Sequence, residues 1–159
     1  MRMFRDHGQA KKYYHGMVGW NARMDGIQGA VLGVKLKYLA GWNDARRRHA
    51  AAYTEELSPL NEVLKPREET YAKHVYHIYA IRVKERDRLM AALGEKGIAC
   101  NIHYPVPIHL QEAYHSLKLG PGSFPVAEKC ASEYLSLPMF AELTPDQIAY
   151  VTDQVKAFY

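Results

Sequence analysis

Residues 74–84, HVYHIYAIRVK, restrict the fold more than any other part of the sequence, because they follow the two-residue period of a β-strand. Tyr79 and Val83 fall on one face of this strand, whereas Tyr76 and Ile78 fall on the other. Apolar residues on both faces predict a strand that is covered on both sides. The rest of the chain must supply the covering elements, which predicts an α/β or α+β domain.

A long helix is predicted upstream of this strand, over residues 25–57, where apolar residues recur at helical spacing. Asp25 is the expected N-cap, and the Ser-Pro pair at 58–59 is expected to end the helix. Gly41 is expected to kink or divide it. Residues 1–24 are basic and aromatic and contain three glycines, so they are expected to be mostly loop.

Shorter elements are predicted downstream of the strand, and together they complete a small sheet flanked by helices. The strongest signal among them is the capping box Thr144-Pro145-Asp146-Gln147, which marks a helix start. The others are a helix at 86–96 closed by Gly97, a strand at 98–104, a helical turn or short helix at 109–117, a helix at 125–134 and a strand at 135–138.

The composition is that of an ordinary globular protein and excludes several classes. Of the 159 residues, 48% are hydrophobic, which excludes intrinsic disorder. Cys100 and Cys130 do not form a CxxC pair and are too few for a disulfide framework. The sequence contains no apolar run that approaches the roughly 20 residues of a membrane span. Because the first residues also lack the apolar core of a signal peptide, we expect a cytoplasmic protein with no membrane partner.

The segment GWNARM at residues 19–24 is the first candidate site. Asn21 and Arg23 lie just before the predicted helix, and the first backbone N–H groups of a helix favour an anion. The alternative is that Asn21 caps a turn and Arg23 is solvated. The sequence alone leaves both interpretations open.

The segment HYPVPIH at residues 103–109 is the second candidate site. His103, Tyr104 and His109 gather where a predicted strand ends, and two prolines stiffen the loop between them. Rigid loops at strand ends often present binding groups. The alternative is a packed corner whose histidines are satisfied locally.

Other kinds of chemistry have little support in the sequence. His74 and His77 would point to opposite faces of a strand, so they cannot chelate one metal ion together, and we expect no metal site. No GxSxG, P-loop or GxGxxG motif occurs. The RRRH run at 46–49 lies on a helix, where a solvated face is the preferred interpretation.

Several long motifs occur in one order along the chain. They are GWNARMDGIQGA at 19–30, VKL at 34–36, WN at 42–43, RRR at 46–48, Tyr53, HYPVPIHLQEAY at 103–114 and LSLPM at 135–139. With these motifs, the sequence resembles the C-terminal part of the DegT/DnrJ/EryC1/StrS family, whose members are pyridoxal-phosphate-dependent aminotransferases that act on nucleotide-linked keto sugars. The resemblance covers essentially the whole chain.

The resemblance implies a fold, a domain division and an assembly. The fold would be the C-terminal part of an aspartate-aminotransferase-like fold (fold type I), with a long helix followed by a small mixed or antiparallel sheet flanked by helices. Residues 1–57 would form a lead loop and a long helix that link to a large domain, and residues 58–159 would form the C-terminal small domain. Family members work as dimers, so a homodimer or higher oligomer is expected.

The resemblance also implies which residues serve the site. The family's Schiff-base lysine lies upstream of the region that resembles this chain, so no catalytic residue is expected here. The chain is expected to be a fragment that is inactive alone and does not bind pyridoxal phosphate covalently. In a complete enzyme, the implied cofactor-binding residues are Asn21 and Arg23, and the implied substrate-binding residues are Tyr14, His15, His103, Tyr104 and His109.

Two other functions remain open at the level of sequence. One is a stand-alone, non-enzymatic oligomerisation or ligand-binding module derived from the same family. The other, less favoured, is nucleic-acid binding through the basic segments 1–15 and 46–49, which the net charge of +4 permits but does not require.

Overall fold

The computed structural model describes all 159 residues and divides into two compact units, residues 1–40 and residues 41–159. The domain boundary expected at residue 57 concerns a complete enzyme and stays a prediction. None of the helices combines the length and the apolar character that crossing a bilayer requires.

Residues 1–24 are mostly loop, as the sequence predicts, but they also contain a short helix and a two-stranded hairpin. The hairpin turns at Tyr13, whose φ is 68° and whose N–H donates to the side chain of Gln9. Its strands are too short to show an alternating apolar pattern, which explains why the sequence gives no signal. The elements are α1 (Arg2–Arg5), β1 (Gln9–Lys11), β2 (Tyr14–His15) and α2 (Gly26–Leu36).

The long helix begins where the sequence predicts but divides at a different place. Asp25 is the N-cap of α2, and its N–H donates to Gln28 Oε1 at 3.0 Å. The division predicted at Gly41 is wrong, because Gly41 lies inside α3 (Leu39–Glu56). The break falls at 37–38, where the N–H of Tyr38 bonds to the carbonyl of Lys35 three residues back and tightens the end of α2.

The second unit is organised around the antiparallel pair β3 (Tyr79–Arg82) and β4 (Tyr134–Leu137). Tyr79 pairs with Leu137, and Arg82 pairs with Tyr134. Single bridges extend this pair on both sides, from Leu64 to Arg82 and from Asn101 to Ser136. Of the strand predicted over 98–104, only Asn101 pairs with the sheet, through this single bridge to Ser136.

The strand predicted over 74–84 is also shorter than expected. Residues before Tyr79 leave the ladder because side chains of α3 bind their carbonyls. Arg46 Nε donates to the Val75 carbonyl at 3.3 Å, and Arg47 Nη1 donates to the His74 carbonyl at 2.6 Å. Tyr76 adopts a φ of 47°, which no strand residue does.

The helices of the second unit lie where the sequence predicts them. Gly97 follows the first of them with a φ of 73°, as a C′ glycine does. The capping box is also confirmed, since Thr144 Oγ1 accepts from the Gln147 N–H at 3.3 Å and Gln147 Oε1 accepts from the Thr144 N–H at 3.0 Å. The helices are α4 (Arg86–Glu95), the 3₁₀ helices Ile108–Leu110 and Glu112–Leu117, α5 (Pro125–Glu133) and α6 (Pro145–Phe158).

The core of the second unit joins α3, the sheet and α6. Tyr53 of α3 stacks on Tyr79 of β3 with ring centroids 5.1 Å apart, and both are fully buried. The Tyr53 hydroxyl donates to the Pro138 carbonyl at 3.1 Å, so this buried polar group is satisfied. Burial raises the pKa of Tyr79 to about 12, which keeps its ring neutral. This core holds the end of β4 and the loops beside it in fixed positions.

Candidate functional site

The segment 103–109 lines an apolar cavity of about 560 Å³ in the second unit. The expected substrate-binding residues His103, Tyr104 and His109 all contribute to this cavity. The 3₁₀ helix Glu112–Leu117 and α5 also contribute to the lining. The other lining residues are Val106, Pro107, Ile108, Tyr114, Leu117, Leu119, Phe124, Ala127, Cys130, Ala131 and Tyr134.

His103 is held in place by the sheet. Its Nδ1 lies 2.9 Å from Ser136 Oγ, and Ser136 is a buried residue of β4. Asn101 and Ser136 exchange two backbone hydrogen bonds of 3.1 and 2.7 Å, which fix the chain two residues before His103. With Nδ1 engaged, Nε2 is the ring nitrogen that remains for a ligand.

Tyr104 is the most exposed polar side chain of the cavity, with 72% of its surface accessible. Its ring meets that of His103 edge to face, with centroids 5.5 Å apart. The two residues therefore place an imidazole and a phenol side by side against an otherwise apolar lining. This is the usual composition of a small-molecule site, in which few polar groups orient a ligand among apolar ones.

His109 is buried, unlike its two companions, and its Nε2 donates to Glu128 Oε1 at 3.0 Å. The ring of Phe124 packs against it edge to face, with centroids 4.9 Å apart. The structure thus places His109 in the cavity wall with one nitrogen already engaged. That arrangement suits a residue that shapes the cavity more than one that exchanges protons with a ligand.

Glu128 is a residue of the site that the sequence analysis missed. Its carboxylate accepts the N–H of Gly122 at 2.8 Å and the N–H of Phe124 at 3.1 Å, in addition to the His109 bond. These hydrogen bonds, led by those from Gly122 and Phe124, lower the pKa of Glu128. The available signal was the spacing in SFPVAE, where a glutamate follows a proline at the helix start by three residues.

The first unit carries the other four predicted site residues, and all of them are exposed. Tyr14 and His15 form β2, and His15 Nδ1 donates to the His7 carbonyl at 2.8 Å. Asn21 makes a backbone bridge with Asp6, and Arg23 lines a shallow groove at the start of α2. The amide and the guanidinium are thus available to an anion.

The residues present fit only part of a pyridoxal phosphate site. An amide and a guanidinium beside a helix start, Asn21 and Arg23, suit the phosphate group. A lysine that is to bind the cofactor covalently needs a desolvated or electrostatically tuned position. None of the eleven lysines is buried; Lys65 donates to the Leu57 carbonyl, and Lys156 lies 2.6 Å from Glu56. The chain's lysines therefore do not fit the covalent link.

The geometry supports neither a metal centre nor a reactive Cys100 thiol. No group of three or more histidine, cysteine or acidic side chains is arranged to hold a metal ion. Burial raises the pKa of the Cys100 thiol to about 11, so little of it is thiolate at neutral pH.

Sequence comparison identifies the class of protein. Residues 1–156 match the DegT/DnrJ/EryC1/StrS aminotransferase family, and the chain belongs to that family. A "pleiotropic regulatory protein" of Geobacillus stearothermophilus is 46% identical over 99% of this chain and 43% of its own length. A dTDP-3-amino-3,4,6-trideoxy-α-D-glucose transaminase of Streptomyces venezuelae is 38% identical over 98% of this chain and 41% of its own length.

Structural comparison agrees and confirms the expected fold. The crystal structure of S. venezuelae DesV in complex with a ketimine intermediate superposes with a TM-score of 0.94 at 38% identity. The superposition covers 99% of this chain and 42% of DesV. The chain thus spans less than half the length of the relatives that it matches, and it has the fold of one portion of these enzymes.

Proposed function

We propose that this chain forms the C-terminal part of a pyridoxal-phosphate-dependent aminotransferase that aminates a nucleotide-linked keto sugar. The observation that carries the proposal is the cavity beside His103 and Tyr104, in a chain that belongs to a sugar aminotransferase family. The transaminase of S. venezuelae, named for a dTDP-linked amino sugar, supports a nucleotide sugar as substrate.

Within that enzyme, the residues of this chain would bind and orient. Asn21 would donate its amide to the phosphate of the cofactor across a subunit boundary, and Arg23 would support it electrostatically. His103 and Tyr104 would hold the sugar, with Tyr14 and His15 contributing to the same substrate. The cofactor supplies the amino-transfer chemistry, and its covalent lysine would come from a large domain.

The same proposal includes a homodimer or higher oligomer. α2 contains no buried residue, although Ile27, Val31 and Leu36 are all apolar and more than half exposed. An apolar surface of this kind usually finds a partner. A second copy of the chain would cover it and would also bring Asn21 to a neighbouring site.

A non-enzymatic module is the second candidate function. The specific observation in its favour is that the 46%-identical relative carries the name of a regulatory protein. The lack of a lysine suited to the covalent link also agrees with it. In that case the cavity would bind a ligand without converting it.

Reconstitution separates the two candidates. This chain would be mixed with the portion of the Geobacillus relative that precedes the matched region, together with pyridoxal phosphate, L-glutamate and a nucleotide-linked 3-keto sugar. We expect no amino sugar from either polypeptide alone and turnover from the mixture. The control is the same mixture with Asn21→Ala and Arg23→Ala. A complex that assembles fully and binds cofactor but produces no amino sugar would favour the non-enzymatic module.

A further inference from the structure

Ser136 occupies a fixed position inside the sheet of the second unit. It pairs with Ala80 of β3 on one side, and on the other side it exchanges two backbone hydrogen bonds with Asn101. Only 5% of its surface is exposed. A hydroxyl group on a residue that is held from both sides has little freedom to move, so it is suited to orient its hydrogen-bond partner.

The Ser136 hydroxyl has a single hydrogen-bond partner, Nδ1 of His103 at 2.9 Å. A buried hydroxyl whose proton finds no acceptor costs free energy, so this proton is expected to be donated. Nδ1 accepts it only if Nδ1 carries no proton itself. Because the Ser136 hydroxyl has no second acceptor, it donates to Nδ1, and the proton of a neutral His103 ring lies on Nε2.

This tautomer decides what His103 can offer to a ligand. His103 lines the cavity, and its Nε2 has no hydrogen bond within the chain. An Nε2 atom that carries a proton is a donor and has no lone pair for accepting another proton. A group that meets Nε2 must therefore be an acceptor oxygen, and the neutral ring cannot take a proton from a ligand at this atom.

We propose that Ser136 is a positioning residue, which holds His103 in the Nε2–H tautomer and so makes His103 a hydrogen-bond donor to the ligand. The identity of the ligand rests on the proposed function, because a nucleotide-linked keto sugar offers acceptor oxygens in its carbonyl and phosphate groups. The tautomer itself follows from the contact between Ser136 and His103 and does not depend on that function.

Long-range ¹H–¹⁵N correlation spectra of the ¹⁵N-labelled chain test the tautomer, since they show which ring nitrogen carries the proton. They would be recorded at about pH 8.5, where imidazoles are neutral. Two other histidines provide references, because a carbonyl can only accept. His49 donates from Nε2 to the Ala141 carbonyl at 3.1 Å, and His15 donates from Nδ1 to the His7 carbonyl at 2.8 Å. We expect His103 to resemble His49. A His103 ring that resembles His15 would overturn the proposal.

Variants of Ser136 test whether its hydroxyl sets this preference. Ser136→Ala should lower the ratio of the Nε2–H to the Nδ1–H tautomer of His103 at least about 3-fold, and Ser136→Thr, which keeps a hydroxyl, should restore it. The matched control is Ser132→Ala, because the Ser132 hydroxyl donates to the Lys129 carbonyl at 2.9 Å and Ser132 does not line the cavity. A ratio that Ser136→Ala and Ser132→Ala leave equally unchanged would contradict the role of Ser136.

Variants of His103 in the reconstituted mixture test the donor role towards the substrate. His103→Gln keeps an N–H donor on a side chain of similar reach but cannot exchange protons, whereas His103→Leu has no donor. We expect His103→Leu to raise the KM for the nucleotide sugar at least about 10-fold and His103→Gln to raise it less. Equal increases in KM would contradict the donor role. If neither variant changes KM, His103 does not contact the substrate, and the proposed function loses that contact while the spectra still decide the tautomer.

Discussion

Nε2 of His109 lies 3.0 Å from Oε1 of Glu128, and this bond ties the strand-end loop to the first turn of α5. The same carboxylate accepts the backbone N–H groups of Gly122 and Phe124. One acidic side chain therefore fixes two walls of the cavity. Its loss leaves a buried histidine and two N–H groups without their acceptor.

Glu128→Gln is expected to lower the melting temperature and to loosen the turn before α5. The amide keeps the shape of the carboxylate but turns a donor toward donors, so the Gly122 and Phe124 N–H groups should exchange with solvent faster. The matched control is Glu112→Gln, since Glu112 is exposed in the neighbouring 3₁₀ helix and its side chain has no described contact. Hydrogen exchange measured by NMR reports the result. Equal exchange rates in the two variants would show that Glu128 does not hold the turn.

The contribution of Glu128 to stability should depend on pH in a defined direction. Its pKa is lower in the folded chain than in the unfolded chain. The stabilisation is therefore complete above the ordinary glutamate pKa of about 4.3 and is lost as the pH falls through the lower, folded-state value. Thermal melts of the wild type and of Glu128→Gln would be compared from pH 7 to pH 3. The difference in melting temperature between them should shrink as the pH falls below about 4.3. A difference in melting temperature that grows as the pH falls would contradict the predicted direction of the pH dependence.

Asn21→Ala is expected to weaken cofactor binding without unfolding the chain. Removal of one hydrogen bond to a charged phosphate costs roughly 1.5–3 kcal/mol, which corresponds to an affinity about 10- to 150-fold lower. Asn21 is exposed and lies before α2, so the melting temperature of the variant should equal that of the wild type. Both quantities would be measured in the reconstituted complex. Unchanged affinity with a lower melting temperature would mean that Asn21 caps a turn and does not bind phosphate.

The sequence predicts the elements that have strong local signals. The Thr144 capping box, the C′ glycine at Gly97 and the Asp25 N-cap each occur where the residues place them, because each depends on neighbours within four positions. The family motifs, which are long and ordered, predict the fold as well. Local signals and family resemblance thus account for the larger part of the architecture.

The features that the sequence does not predict depend on distant residues. The strand at Tyr79 is short because Arg46 and Arg47, some thirty positions earlier, bind the carbonyls of the residues before it. The sequence also predicts that Gly41 kinks or divides the helix, but a glycine inside a helix costs only about 1 kcal/mol relative to alanine, and α3 continues through it. Glu128 reaches His109 across nineteen positions, so no spacing rule connects them.

The apolar surface of α2 predicts self-association of this chain. Light scattering at micromolar concentrations should give a mass of two or more copies. Val31→Glu should lower that mass, because Val31 is exposed by 53% and lies in the apolar groove at the start of α2. Lys37→Glu, a larger change of charge at the exposed C-cap of the same helix, is the control, because Lys37 does not share the face of Val31. A wild-type chain that is strictly monomeric across this range would refute the prediction.

The most direct test of the central claim is to identify the lysine to which pyridoxal phosphate becomes attached. The reconstituted mixture would be incubated with the cofactor, reduced with borohydride and digested for peptide mapping. The claim that this chain supplies binding groups and not the covalent lysine predicts stoichiometric label on one lysine of the large-domain polypeptide and none on the eleven lysines of this chain. Stoichiometric label at a single lysine of this chain would contradict it.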